Sequence, residues 1–73
     1  MISNEEFLVK LGKRIEEAYL PKFKSQTEFA LACDVDTRTI RRIIKAEQNP
    51  TILVLRGIAN ALECELTNLI DIE

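Results

Sequence analysis

The sequence predicts an all-α fold: a single five-helix domain spanning residues 1–73, with a helix-turn-helix at about residues 25–45. Three observations lead there. The chain has 73 residues, enough for one domain and no more. Only two Gly and two Pro occur among many Leu, Ile, Ala, Glu, Lys and Arg, a balance that favours helix over strand. Apolar residues recur with the helical period, and no segment shows the period-2 alternation of a half-buried strand.

The first helix is expected over about Asn4 to Tyr19, where Phe7, Leu8, Leu11, Ile15 and Ala18 share one face. Glu5, Glu6, Lys10, Lys13, Arg14, Glu16 and Glu17 make its solvated face. Pro21 ends it, because the residue before a proline is pushed out of the helical region. Ser25-Gln26-Thr27-Glu28 reads as a capping box, in which the Ser25 hydroxyl accepts from the Glu28 N–H and the Glu28 side chain reaches back. The second helix runs to about Ala32, with Phe29, Ala30 and Cys33 inward. Asp34-Val35-Asp36 is the break. A short acidic residue such as Asp34 tolerates a left-handed turn, and Asp36 is a natural N-cap for a third helix, roughly Thr37 to Lys45. Glu47-Gln48-Asn49-Pro50 is a polar loop. Thr51 caps a fourth helix in which Ile52, Leu55, Ile58, Ala59 and Leu62 share the core face. A last helix covers about Leu66 to Ile70.

Composition excludes several classes of function. His is absent, and no Ser–His, Cys–His or paired-carboxylate arrangement stands out, so no catalysis is expected. There is no glycine-rich phosphate loop. Cys33 and Cys64 lie far apart without a Cys-x-x-Cys pair, so no metal or other cofactor is expected; both read as reduced, small apolar core groups. The N-terminus lacks a basic start followed by an apolar run, and no apolar stretch approaches the roughly 20 residues of a membrane span. The expected location is therefore the cytoplasm. The net charge of −2 hides an asymmetry. Residues 22–45 carry six basic and three acidic groups, net +3, whereas residues 46–73 carry one basic and five acidic, net −4.

The third helix holds the strongest functional signal. With Arg38 set at 0° and about 100° per residue, Arg42, Lys45 and Arg41 all fall within about 60° of it, and Ile40, Ile43 and Ile44 fall opposite. Thr37 and Thr39 flank the basic face. A merely solvated face would mix charge signs, which favours i,i+4 pairs. Here Arg38–Arg42 and Arg41–Lys45 are like-charge pairs at that spacing, a mildly destabilising choice. An anionic partner accounts for it. A capped short helix, a three-residue turn and a basic second helix form a helix-turn-helix, whose second helix enters the DNA major groove.

Ser25-Gln26-Thr27-Glu28-Phe29-Ala30, then Val35-Asp36-Thr37-Arg38-Thr39-Ile40-Arg41-Arg42-Ile43, then Asn49-Pro50-Thr51-Ile52, Leu55, Ile58-Ala59-Asn60-Ala61-Leu62 and Leu66 resemble the phage repressor and Cro type of helix-turn-helix domain (XRE-like). Leu11-Gly12-Lys13-Arg14-Ile15 is similar to its usual first helix, and the resemblance covers about residues 8–70 without gaps. It implies a five-helix DNA-binding domain without catalysis, usually a homodimer on a palindromic operator of double-stranded DNA. It implies that Gln26 holds a phosphate, that Thr37, Arg38 and Arg42 reach bases, and that Thr39, Arg41 and Lys45 serve base or backbone. The chain departs from the usual pattern at defined places. Ile44 and Ala46 replace a glutamate and a glycine, Asp34 and Glu63 stand where glycine is common, Tyr19 where arginine is common, and Lys24 where an apolar residue is common.

The expected function is a sequence-specific transcriptional regulator: a stand-alone repressor, a restriction-modification controller or an antitoxin acting on its own operon. No small-molecule ligand is expected, because one small domain leaves no room for an effector pocket. Leu53 and Val54 lie off the core face of the fourth helix with no evident intrachain partner, and Leu66, Leu69, Ile70 and Ile72 are more apolar residues than so short a tail can readily bury; Leu53, Val54, Ile70 and Ile72 are the expected dimer interface. The alternative is a protein-interaction module of the same fold that uses its acidic C-terminal third.

Overall fold

The computed structural model describes residues 1–72. Five helices follow one another: α1 (Asn4–Tyr19), α2 (Gln26–Cys33), α3 (Thr37–Ile44), α4 (Ile52–Ala61) and α5 (Leu66–Ile70). No strand is present among the described residues. α1 packs on α3 and α5, α2 packs on α3 and α4, and α4 packs on α5.

Side-chain oxygens start four of the helices. Ser3 begins α1 with a full capping box, its hydroxyl accepting from the Glu6 N–H at 3.1 Å and Glu6 accepting from the Ser3 N–H at 3.4 Å. Ser25, Asp36 and Thr51 cap α2, α3 and α4 as expected, accepting from the N–H of Glu28, Thr39 and Val54 at 3.0, 2.7 and 3.2 Å. The box at Ser25 forms only by half. The Glu28 carboxylate accepts from the Lys24 N–H at 3.3 Å, one residue before the cap. Pro21 also acts differently from expectation. Leu20 before it stays right-handed helical, at φ −52 and ψ −45. The proline stops the ladder because it has no N–H to donate. The chain then closes through the Lys22 and Phe23 N–H groups, both donating to the Tyr19 carbonyl at 2.9 and 3.0 Å.

Three helices end on one device. After α2, α3 and α4 a residue takes the left-handed conformation: Asp34 (φ 61), Ala46 (φ 60) and Glu63 (φ 58). The next N–H then donates five residues back: Val35 to Ala30, Glu47 to Arg42 and Cys64 to Ala59, at 3.1, 2.8 and 3.0 Å. This is the Schellman cap, which glycine normally serves because it has no Cβ. These are the positions at which the domain type that the sequence resembles commonly has glycine, and none of the three is glycine here.

Phe29, Leu11, Ile15, Ile40, Ile43, Ile58 and Leu69 are fully buried and form the centre of the core. Burying each is worth roughly 1.5–3 kcal/mol. Tyr19 stacks on Phe29, with ring centres 4.6 Å apart and planes 4° apart, and Phe23 tilts against Phe29 at 5.3 Å. Both glycines lie at helix contacts. A Cβ on Gly12 would strike the Ile43 and Ile44 carbonyl oxygens of α3, and one on Gly57 would lie 2.6 Å from the Cys33 carbonyl oxygen of α2. The Lys22 ammonium donates to the Leu62 carbonyl at 2.9 Å, closing the end of α4 from the α1–α2 connection.

The core face of α4 differs from the expected one. Ile52 is 61% exposed, because it lies at the first position of the helix, about 120° around from fully buried Ile58. Val54, expected to lack an intrachain partner, packs half-buried on the core, since it precedes Ile58 by four residues on the same face. Leu55 is half-buried, and Ala59 and Leu62 are buried as expected. Of the two thiols, both free, Cys33 is buried and Cys64 only half-buried. Burial pushes the Cys33 thiol up to about 11. No helix among the described residues is long and apolar enough to cross a membrane.

Candidate nucleic-acid interface

α3 is a short helix fixed from both ends and from behind. At its start Asp36 accepts the Thr39 N–H, and at its end Ala46 turns the chain out. Asp36 is held below the usual carboxylate range, first by the hydrogen bonds from Thr39 and further by Arg38 and Arg42. Behind, Ile40 and Ile43 are buried and Ile44 is half-buried, and Gly12 lets α1 press against the last carbonyls of α3. The helix cannot roll without lifting two isoleucines out of the core.

This anchoring decides what faces solvent. Arg38, Arg41 and Arg42 are all exposed on α3, and Lys45 follows, exposed, as its C-cap. No ion pair to any of the four is present among the described residues. Arg38 and Arg42 feel the charge of Asp36 without forming a close pair with it, so the four cationic groups remain accessible to an anionic partner. Thr37 and Thr39 are half-buried on the flanks. The basic residues singled out in the sequence thus come together on one helix face.

Gln26 stands apart from them, at the first position of α2. It is half-buried, not a loose surface side chain, and its amide donates to the Tyr19 hydroxyl at 3.4 Å. This link to Tyr19 is not among the contacts expected from the sequence. The spacing of seven residues across a turn carries no local signal for it.

Of the residues expected at a dimer surface, Leu53 is 72% exposed, and neighbouring Ile52 joins it in solvent. Val54, Ile70 and Ile72 are half-buried against the chain's own core.

Residues 15–69 match the family model described as Helix-turn-helix. The chain belongs to that family. It is of the phage repressor and Cro (XRE-like) type, and family membership makes it a DNA-binding transcriptional regulator. Among solved structures it is similar to the restriction-modification controller protein C.AhdI from Aeromonas hydrophila. The two are 27% identical, with a TM-score of 0.80, and the match covers 85% of this chain and 94% of that one. No curated protein matches the chain. The helix-turn-helix of the family is α2, the Asp34–Asp36 turn and α3 in this chain.

Proposed function

We propose that the chain is a sequence-specific, non-catalytic regulator that binds operator DNA as a homodimer in the cytoplasm, with α3 in the major groove. The observation that carries this reading is the free basic face of α3, set rigidly on a buried isoleucine face. Arg38 and Arg42 are the base readers, since arginine pairs bidentately with guanine. Lys45 and Arg41 contact phosphate or base, Thr37 and Thr39 support the base contacts, and Gln26 holds a phosphate at the start of α2. Dimerisation supplies the second half-site that so small a reader needs. Leu53, exposed at the N-terminal end of α4, leads that surface, with Val54, Ile70 and Ile72 contributing their exposed parts. Among the possible regulatory roles, likeness to a restriction-modification controller over 85% of the chain favours that one.

Fluorescence anisotropy with a selected operator tests the reading. Arg38→Ala or Arg42→Ala should cost about 1–3 kcal/mol and relax preference at single base positions. Lys45→Ala should weaken all sequences alike and lower the salt slope by about one. Unchanged affinity in both arginine variants would remove α3 as the reader. Sedimentation equilibrium tests the dimer: a mass near the 8.4 kDa monomer at micromolar concentration would exclude it.

A further inference from the structure

One polar group in the core serves no purpose in the packing. Tyr19 is 5% exposed, and its ring is clamped flat against fully buried Phe29, which Phe23 supports from another side. Phenylalanine would fill that space equally well. The hydroxyl meets the Gln26 side-chain amide, which donates to it at 3.4 Å. Glutamine is a flexible side chain whose ordering costs entropy when it must hold a ligand. Tying it to a rigid ring lowers that cost before the ligand arrives.

The Gln26 amide nitrogen carries two hydrogens. One is used on Tyr19, and the other remains for an acceptor. The Tyr19 oxygen, accepting from Gln26, keeps its own hydrogen to donate. Around this pair the backbone is also a donor. Ser25 satisfies the Glu28 N–H with its side chain and the Phe29 N–H with its carbonyl, which leaves the Gln26 and Thr27 N–H groups as the open donors of the first turn of α2.

We infer that Tyr19 is a positioning residue for DNA binding: the hydroxyl on its buried ring fixes the Gln26 amide for a backbone phosphate. The inference rests on the DNA-binding reading above and adds a residue to it. Because a phosphate contact carries no sequence information, a random-sequence 30-base-pair duplex suffices as probe.

The test is a double-mutant cycle with full-length Tyr19→Phe, Gln26→Ala and the double variant. Anisotropy is measured at low salt, at a temperature where melting curves show every variant folded. Tyr19→Phe should weaken binding about threefold, the scale of one hydrogen bond. Gln26→Ala should weaken it at least as much, and the double variant should be no weaker than Gln26→Ala alone. A purely structural Tyr19 predicts losses that multiply in the double variant, and that result overturns the inference. So does wild-type affinity in Tyr19→Phe while the wild-type chain binds the duplex. If the wild-type chain binds no duplex, the DNA-binding reading falls and this inference falls with it.

Discussion

Between Ser25 and Lys45, both helices begin on a side-chain oxygen, and an aspartate, among the residues best suited to a left-handed position, turns the chain between them. Between Ala46 and Ile72 the left-handed positions fall to alanine and glutamate, and α5 is five residues long with no side-chain cap. The first region has four basic and three acidic residues, its basic ones all on α3 and its cap, whereas the second has one basic and four acidic. The difference separates two ways of specifying structure. The helix-turn-helix is written locally, in caps and turn residues that hold α3 in place. The C-terminal region keeps one such cap, Thr51 on α4, and is otherwise written in burial, through Ile58, Leu62 and Leu69, which makes it dependent on the rest of the molecule.

The strongest attempt to break this comparison removes a C-terminal anchor. Leu69→Ala should cost about 2–5 kcal/mol. That rivals the whole stability of so small a domain, at about 0.05–0.15 kcal/mol per residue. Because α5 packs on α1 and α4, the helix-turn-helix should be lost in the same transition. Urea unfolding followed by circular dichroism should show one transition at a lower midpoint. An unchanged midpoint, with only the last turn frayed, would make α5 an appendage.

Next come the two glycines. In an exposed helix interior Gly→Ala gains about 1 kcal/mol from propensity. Here the added Cβ meets backbone oxygen, 2.8 Å from the Ile43 carbonyl for Gly12 and 2.6 Å from the Cys33 carbonyl for Gly57. Backbone cannot swing aside as a side-chain end can. Overpacking of this kind costs roughly 1–3 kcal/mol, so the sign reverses. Both alanine variants should melt lower than wild type. Gly12→Ala should also weaken DNA binding, since it displaces the end of α3. A higher melting temperature in either variant would refute the close approach.

A smaller effect of opposite sign is expected at the Schellman positions. A left-handed non-glycine residue costs roughly 1–2 kcal/mol, and glycine recovers part of that after its greater unfolded-state entropy. Ala46→Gly and Glu63→Gly should each stabilise by up to about 1 kcal/mol. Asp34→Gly should gain less, because aspartate already tolerates the conformation. Thermal melts of the three variants rank them directly. A gain at Asp34 equal to that at Ala46 would erase the contrast between the two regions.

These residues also show what was legible in the sequence. The helix boundaries were, to within a residue, because Ser25, Asp36, Thr51 and the Asp34 turn announce them locally. The basic face of α3 was legible because periodicity alone sets it against the isoleucines. Ser3 as a cap was missed although its Glu6 partner stands three residues on, the spacing recognised at Ser25. The rest depends on which helices meet. Nothing near Gly57 in sequence says that the Cys33 carbonyl lies over it. Nothing near Lys22 points to Leu62, forty residues on. Ile52 fits the apolar pattern of α4 and yet lies in solvent, because a period gives a face but not where along the helix its neighbours sit.

The smallest effect sharpens the comparison within the reading region itself. α2 is capped by a hydroxyl that does not titrate, and α3 by the carboxylate of exposed Asp36. The Thr39 hydrogen bonds, and then Arg38 and Arg42, favour the charged form and lower its proton affinity in the folded state. The sign follows by linkage. With the folded value below the unfolded one, the stabilisation is fully present above the ordinary aspartate value of about 3.9 and is lost as pH falls through the lower, folded value. Asparagine caps about as well but carries no charge for the helix dipole or the two arginines. At neutral pH Asp36→Asn should therefore melt slightly below wild type. As pH falls below the ordinary aspartate value and through the lower, folded one, the wild type loses its charge advantage, and the two melting temperatures should converge. A gap that stays constant from neutral to acid pH would mean that the charge of Asp36 adds nothing to its cap.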